Sequence, residues 1–149
     1  MSLKQKIQEE MKTAMRAKDQ VTLRTLRAIK TAIMMVETSE GFSGEFTEAD
    51  ELKLLTKQAK QRKDSIQQYR DNDREDLAKV EEEELVVIER FLPQQMSPAE
   101  IETEVKAIIA ETGAASMRDM GKVMGLATKR MAGRADGKVI SGIVRQLLA

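Results

Sequence analysis

The 149-residue sequence has no cysteine, no histidine and no tryptophan, and its only aromatic residues are three Phe and one Tyr. Without cysteine there are no disulfides and no thiol nucleophiles, and without histidine there are no imidazole metal ligands and no Ser–His–Asp triad. With so few aromatics, Leu, Ile, Val and Met must fill the core. They recur at spacings of three and four residues, which predicts an all-α protein.

Long apolar runs are also absent. No stretch approaches the roughly 18 residues of a membrane-spanning helix. The first ten residues are too polar for a signal peptide. We therefore expect a cytoplasmic protein with no membrane partner. No pattern among the carboxylates, lysines and hydroxyls selects a catalytic residue, a metal ligand or a cofactor, so none is predicted.

Helix signals predict an N-terminal four-helix domain over residues 1–93. A glycine-containing loop covers residues 39–46, and Pro93 ends the last helix because proline disfavours helical geometry in the residue before it. The third and fourth helices should form a long antiparallel hairpin. The predicted starts and bounds are a capping box of Ser2 and Gln5, a cap at Asp19, and helices over 47–72 and 74–92.

A compact three-helix domain is predicted over residues 97–149. Its first helix opens with the capping-box sequence Ser97-Pro98-Ala99-Glu100, in which proline suits the first helical position. The other predicted boundary residues are Gly113 at the end of the fifth helix, Ser116 and Gly133 around the sixth, and Asp136 as the cap of the seventh.

Positive charge is concentrated near the C-terminus. The whole chain has 25 cations and 25 acids, whereas residues 113–149 hold seven cations and two acids, a net charge of +5. A basic end on a neutral chain favours a polyanionic partner. The candidate RNA-binding cations are Lys122, Lys129, Arg130, Arg134 and Lys138.

Two glycine patterns in this segment have alternative interpretations. Gly121 and Gly125 share a helical face, which indicates either close packing within the domain or a partner surface. The segment 133–139, Gly-Arg-Ala-Asp-Gly-Lys-Val, departs from a Walker A motif in the spacing of its glycines and in Val139, which replaces Ser/Thr, so nucleotide hydrolysis is excluded. Either the start of the seventh helix holds a phosphate between Arg134 and Lys138, or Gly133 and Asp136 only cap a tight corner.

A second basic run lies in the third helix. It comprises Lys53, Lys57, Lys60, Arg62 and Lys63. It is either a phosphate-binding stripe or, as we prefer, a face that pairs with acids across the hairpin, with Arg62 and Lys63 opposite Glu83 and Glu84. Exposed pairs of this kind contribute only about 0–1 kcal/mol each.

Six motifs span nearly the whole chain: Glu10-Met11-Lys12-x-Ala14-Met15, Leu23-x-x-Leu26-Arg27-x-Ile29-Lys30, Lys60-Gln61-Arg62-Lys63-Asp64-Ser65, Phe91-Leu92-Pro93-Gln94-Gln95, Asp119-Met120-Gly121-Lys122-Val123-Met124 and Gly133-Arg134-Ala135-Asp136-Gly137. Together these motifs resemble the YqeY-like family. The family comprises small bacterial proteins whose C-terminal part resembles the tail domain of GatB, a subunit of the glutamine-dependent aspartyl/glutamyl-tRNA amidotransferase.

The resemblance implies an all-helical fold and, because the GatB tail helps to grip tRNA, a non-catalytic protein that binds tRNA or other structured RNA. The amidotransferase carries out its chemistry elsewhere, and this sequence has no counterpart of its cradle domain or its amidase residues. Two alternatives stay open. One is a helical module that docks on a protein partner in translation. The other is a component of a carbon–nitrogen ligase, with glutamine as amide donor, that acts only with partner subunits.

Overall fold

The computed structural model describes all residues from Met1 to Ala149, and it contains seven α-helices, one short 3-10 helix and no strand. The predicted all-α class is therefore confirmed. The backbone forms two compact units, Met1–Leu92 and Pro93–Ala149. Each unit has its own buried apolar cluster.

The first unit contains four helices, and three of them start at a residue whose side chain caps the helix, while the fourth starts after Arg74 with no side-chain cap. Ser2 and Gln5 form the predicted capping box, and Asp19 accepts the Thr22 amide hydrogen at 3.1 Å. These side chains bond amide hydrogens that have no partner within the helix. The helices are α1 (Leu3–Ala17), α2 (Gln20–Glu37), α3 (Glu48–Asp71) and α4 (Glu75–Glu89).

The core of this unit is built mainly from α2 and the faces that pack on it. Leu26 and Ile29 in α2 and Ile88 in α4 are fully buried, and Ile7 from α1 is 2% exposed. The hairpin of α3 and α4 turns at residues 72–74, where Asp73 has a positive φ of 57°. The expected long hairpin is confirmed.

The end of α4 differs from the prediction. The helix stops at Glu89, three residues before the expected Leu92. The amides of Arg90, Phe91 and Leu92 donate to carbonyls three residues back, at 3.0–3.2 Å, so the chain tightens as it leaves the helix. Pro93 lies beyond this tight turn, and it limits the backbone of Leu92.

The second unit contains α5 (Pro98–Thr112), a 3-10 turn (Met117–Asp119), α6 (Met120–Arg130) and α7 (Gly137–Leu148). The capping box predicted at Ser97 is formed. Ser116 was predicted to open α6, but it caps the 3-10 turn together with Asp119, and α6 begins only at Met120. Gly113 has the left-handed geometry expected of a C-terminal glycine, with a φ of 69°. The core of the second unit comes from one face of each helix. The residues Val105, Ile108, Val123, Ile140 and Val144 are all at most 1% exposed.

Gly133 does not cap α6 directly, which corrects the prediction. The helix ends at Arg130 and its C-cap is Met131, whose side chain is 1% exposed. The amides of Arg134 and Ala135 both donate to the Met131 carbonyl, at 2.9 and 3.2 Å. Gly133 lies inside this turn with a φ of 73°, a conformation that glycine adopts without strain.

Candidate nucleic-acid interface

The exposed face of α6 brings two of the predicted cations together. Val123 and Ala127 are fully buried on one side of the helix, while Lys122 and Lys129 are exposed. The two lysines are seven residues apart, which places them on the same side of a helix and about 10 Å apart along its axis. Neither forms a hydrogen bond or an ion pair through its side chain. Both ammonium groups are thus available to an anion.

Gly121 and Gly125 lie beside these lysines on the exposed side of α6. A Cβ placed on either glycine would meet no heavy atom within 4 Å outside its own helix. Close packing within the unit, one of the two interpretations drawn from the sequence, is therefore wrong. The glycine strip beside the lysines is open to solvent, and its role as a partner face stays a prediction.

Arg130 is also on α6 but is engaged within the unit. Its two terminal nitrogens donate to the Glu111 carboxylate, and its Nη1 lies 3.7 Å from Oε1 of Glu104. The bonds to Glu111 raise the pKa of Arg130, and the same bonds hold the pKa of Glu111 below its usual range. An RNA phosphate would have to compete with two carboxylates for this guanidinium.

The segment before α7 uses its polar groups to fix a turn. Arg134 Nε donates to the Gln94 carbonyl at 3.3 Å, Gln95 Nε2 donates to the Gly133 carbonyl at 2.7 Å, and the Met96 amide donates to the Arg134 carbonyl at 2.8 Å. Arg134 remains exposed. Its guanidinium has four further N–H donors beyond this contact.

Asp136 occupies the start of α7. Its carboxylate accepts the Lys138 amide hydrogen at 2.8 Å, as the capping prediction required. A carboxylate at this position places negative charge where a phosphate oxygen would bind. The start of α7 is therefore an ordinary N-cap, and the Lys138 side chain, which is exposed, is left as the candidate contact there.

The charge of the whole second unit is smaller than that of the segment considered alone. Residues 93–149 carry eight cations and six acids, a net charge of +2, because α5 adds Glu100, Glu102, Glu104 and Glu111. Two exposed cations of residues 113–149, Arg118 and Arg145, were missing from the predicted set. Arg118 precedes Lys122 by four residues and Lys129 by eleven, and this spacing was a signal available in the sequence.

The basic run in α3 separates into two kinds of residue. Arg62 is largely buried against α4, with 3.6 Å from its Nε to Glu81 and 3.9 Å from its Nη2 to Glu84. The predicted pairing of Arg62 with Glu84 is thus confirmed, while Lys63 forms no ion pair with Glu83. Arg24 of α2 approaches Glu84 from the other side, at 3.7 Å.

The ionised form of Glu81 is disfavoured within this cluster of charged side chains. Partial burial, followed by repulsion from Glu84, raises the pKa of its carboxyl, and Arg62 opposes the shift only in part. Glu84 is 9% exposed. Arg62 Nε is buried and makes no hydrogen bond. Sequence reasoning missed this arrangement because the tetraglutamate run of 81–84 gives no sign of which members face the hairpin.

Two further kinds of site are not found in the fold. No three acidic side chains lie close enough to hold a metal ion. No helix is both long enough and apolar enough to cross a membrane.

Comparison with known proteins identifies the family. The YqeY-like protein family model matches residues 4–148. The chain belongs to the YqeY-like family. Among its relatives, the "Altered inheritance of mitochondria protein 41, mitochondrial" of Pyrenophora tritici-repentis is 30% identical over 96% of this chain and 79% of its own length. The protein of the same name from Vanderwaltozyma polyspora is 34% identical over 76% of this chain.

The matched part of the chain covers 64% of the Vanderwaltozyma protein, and this YqeY-like relative is therefore longer than the present chain. A third fungal relative, from Meyerozyma guilliermondii, is 36% identical over 58% of this chain and 44% of its own length, and it has the same name. These names place the relatives in mitochondria. The expectations of a bacterial source and a cytoplasmic location stay predictions for this YqeY-like chain.

Proposed function

We propose that this protein binds structured RNA, with tRNA as the partner, through phosphate contacts from the second unit, and that it acts as an accessory protein rather than a catalyst. The observation that carries the proposal is the pair Lys122 and Lys129. Both are exposed on one face of α6, and neither is neutralised by a carboxylate.

The surroundings of these lysines favour a phosphodiester backbone. The glycine strip beside them lets a ligand approach the α6 backbone more closely than a larger side chain would permit. Arg118 extends the cations towards the start of the helix, and Arg134 adds an exposed guanidinium beyond its end. Phosphate contacts of this kind fix the position of a nucleic acid without reading its sequence.

The composition of the unit favours folded RNA over single strands. Residues 93–149 contain no aromatic side chain, so bases cannot stack as they do on single-strand-binding surfaces. Double-helical RNA is recognised by its shape and by its phosphates and 2′-hydroxyls. With a net charge of +2 on the unit, we expect a Kd on the order of 10⁻⁶ to 10⁻⁵ M for tRNA at low salt.

The test is fluorescence anisotropy of labelled bulk tRNA at several salt concentrations. We expect Lys122→Ala and Lys129→Ala each to weaken binding and to reduce the dependence of log Kd on log salt by about one unit. Lys106→Ala is the matched control, because Lys106 lies in the same unit but forms an ion pair with Glu102 at 3.3 Å.

If the double variant at Lys122 and Lys129 bound tRNA with unchanged affinity and salt dependence, the proposal would be wrong. A loss equal to that of Lys106→Ala would also contradict it, because it would reflect total charge rather than the α6 face. Duplex DNA serves as a comparison ligand, and we expect tRNA to bind more tightly.

A second candidate function is that of a helical protein-interaction module. The open glycine strip of α6 favours this function, because helices that cross closely do so at small residues. The zero net charge of the chain also fits a protein partner better than it fits a polyanion. A single protein retained on the immobilised chain after nuclease treatment, and lost in a Gly121→Leu variant, would support this function over RNA binding.

A further inference from the structure

We infer that the groove between α2 and α3 is a docking site for an amphipathic helix that carries acidic side chains beside its apolar face. The groove has a volume of about 520 Å³, which is within the range of about 300–1,000 Å³ found for ligand clefts. It lies wholly within the first unit, whereas the residues of the proposed RNA contacts belong to the second unit.

The floor and one wall of the groove are apolar. Ala32, Phe46 and Leu54 form part of its lining and also pack on the core of the unit. Met35 and Val36 of α2 complete the wall, and their side chains are 68% and 36% exposed. Adjacent exposed apolar residues of this size mark an interaction surface, and methionine adapts to helical partners.

The opposite rim of the groove is basic. Lys53 and Lys57 of α3 line it, and Lys60 continues the same row one turn further. None of the three forms an ion pair, so the hairpin-pairing interpretation of the basic run applies to Arg62 and not to these lysines. Positions 53, 57 and 60 span about 10 Å of helix.

The one acid in the groove is already engaged. Asp50 accepts hydrogen bonds from the amide and the hydroxyl of Thr47, at 3.0 and 2.9 Å, in the capping box of α3. These bonds, more than the nearby charge of Lys53, hold the pKa of Asp50 below its usual range. The rim therefore presents net positive charge to an occupant, and the charge-complementary partner has acids spaced by three or four residues.

A helix fits this surface better than a membrane does. The apolar residues line a concave groove between two helices, whereas insertion into a bilayer needs an apolar face that projects from the protein. Recognition of an amphipathic helix uses a hydrophobic groove with anchors at every third or fourth position, and acids that flank the apolar stripe would meet Lys53 and Lys57. Anionic vesicles are included in the test to distinguish the two.

The experiment uses the full chain and a labelled synthetic peptide of about 18 residues, long enough to form an isolated helix. The peptide has leucines on one face and glutamates on both flanks, and a second peptide has lysine in place of every glutamate. We expect the acidic peptide to bind with a Kd on the order of 10⁻⁵ M and the basic peptide to bind at least tenfold more weakly.

Substitutions at two exposed positions in the groove, and at two control positions outside it, locate the binding site. Met35→Glu and Lys57→Glu should each weaken binding of the acidic peptide about tenfold. Met34→Glu and Lys30→Glu are the matched controls, since both residues line a different groove between α1 and α2. Binding in the control variants should stay within about twofold of the unmodified chain. All four positions are exposed, and circular dichroism verifies that each variant is folded.

Three results would overturn the inference. They are equal binding of the two peptides, equal losses in the Met34 and Met35 variants, and no binding of the acidic peptide at all. Binding of anionic phosphatidylglycerol vesicles that Met35→Glu abolishes, without peptide binding, would assign the groove to a lipid surface instead. Peptide binding should be unaffected by the Lys122 and Lys129 substitutions, which keeps this test separate from that of RNA binding.

Discussion

Arg130 of α6 is held by Glu111 of α5 through hydrogen bonds from both terminal nitrogens of the guanidinium. The pair is exposed, and Glu111 loses its proton more readily than an ordinary glutamate because these bonds lower its pKa. One of the five cations predicted to bind RNA is therefore neutralised within its own unit at neutral pH. Its availability to a phosphate depends on the carboxylate.

Substituting Glu111 tests whether Arg130 is a latent phosphate contact. Glu111→Gln leaves the side-chain shape nearly unchanged but removes the negative charge that competes for the guanidinium. We expect tRNA to bind roughly two- to tenfold more tightly at low salt, with the salt dependence steeper by about one unit. The measurement is the same anisotropy titration. Glu102→Gln is the control, because it removes a charge from the same helix but releases Lys106 instead. Equal gains in the two variants would contradict a specific role for Arg130.

The second prediction concerns Gly125, which lies in the middle of α6 with its surface exposed to solvent. A Cβ added there would contact no atom outside its own helix. Gly125→Ala should raise the free energy of unfolding by about 0.5–1 kcal/mol, because alanine favours the helix. Gly142→Ala in α7 is the matched control, since Gly142 is also exposed and also has open space around it. Thermal or urea unfolding measures both.

The two alanine variants should differ in RNA binding. If a phosphodiester backbone lies on the glycine strip, Gly125→Ala weakens tRNA binding while Gly142→Ala leaves it unchanged. Stabilisation with no loss of affinity in either variant would show that Gly125 has no part in ligand approach. The RNA contacts would then be confined to the tips of Lys122 and Lys129.

The third prediction separates buried from exposed ion pairs in the α3–α4 hairpin. The side chain of Arg62 is 14% exposed and lies between two carboxylates, and Glu84 is buried. Arg62→Ala should lower the free energy of unfolding by about 2 kcal/mol, because it leaves two acids close together without a counter-charge. Arg70→Ala is the control, since Arg70 pairs with Glu75 and Glu82 at a site where its side chain is 42% exposed. Urea unfolding should show a much smaller loss there, and equal losses would contradict the prediction.

The sequence predicted the local features of the fold well. Capping boxes at Ser2 and Ser97 and the glycine at Gly113 were predictable because each depends on a few adjacent residues. The end of α4 was predicted three residues too late, at Leu92. The helix ends at Glu89 because residues 90–92 form a tighter turn before Pro93.

The candidate site was harder to predict, because the net charge of a sequence segment does not include the acids that other helices bring beside it in the fold. The +5 segment ignored the acids of α5, and Glu104 and Glu111 lie against Arg130 only after α5 and α6 have packed together. In the same way, Lys57 and Arg62 belong to one basic run, yet one faces solvent and the other faces α4. Sequence spacing gives the face of a helix, and the fold decides what that face meets.

The final prediction follows from the raised pKa of Glu81. Partial burial and the neighbouring Glu84 favour its neutral form in the folded protein. Between the ordinary carboxyl pKa and this raised value, the native state binds more protons than the unfolded state. Stability is therefore lost as pH rises through that window.

Glu81→Gln removes the titrating group and should make the protein more stable than the unmodified chain at pH 7, with little difference at about pH 3, where Glu81 is protonated in both states. Urea unfolding across this range measures the difference. Glu83→Gln is the control, because Glu83 is exposed on the same helix. A gain at pH 7 that persists unchanged in acid would mean that the glutamine stabilises by a route other than charge. A loss at pH 7 would show that the attraction of Glu81 to Arg62 outweighs its burial.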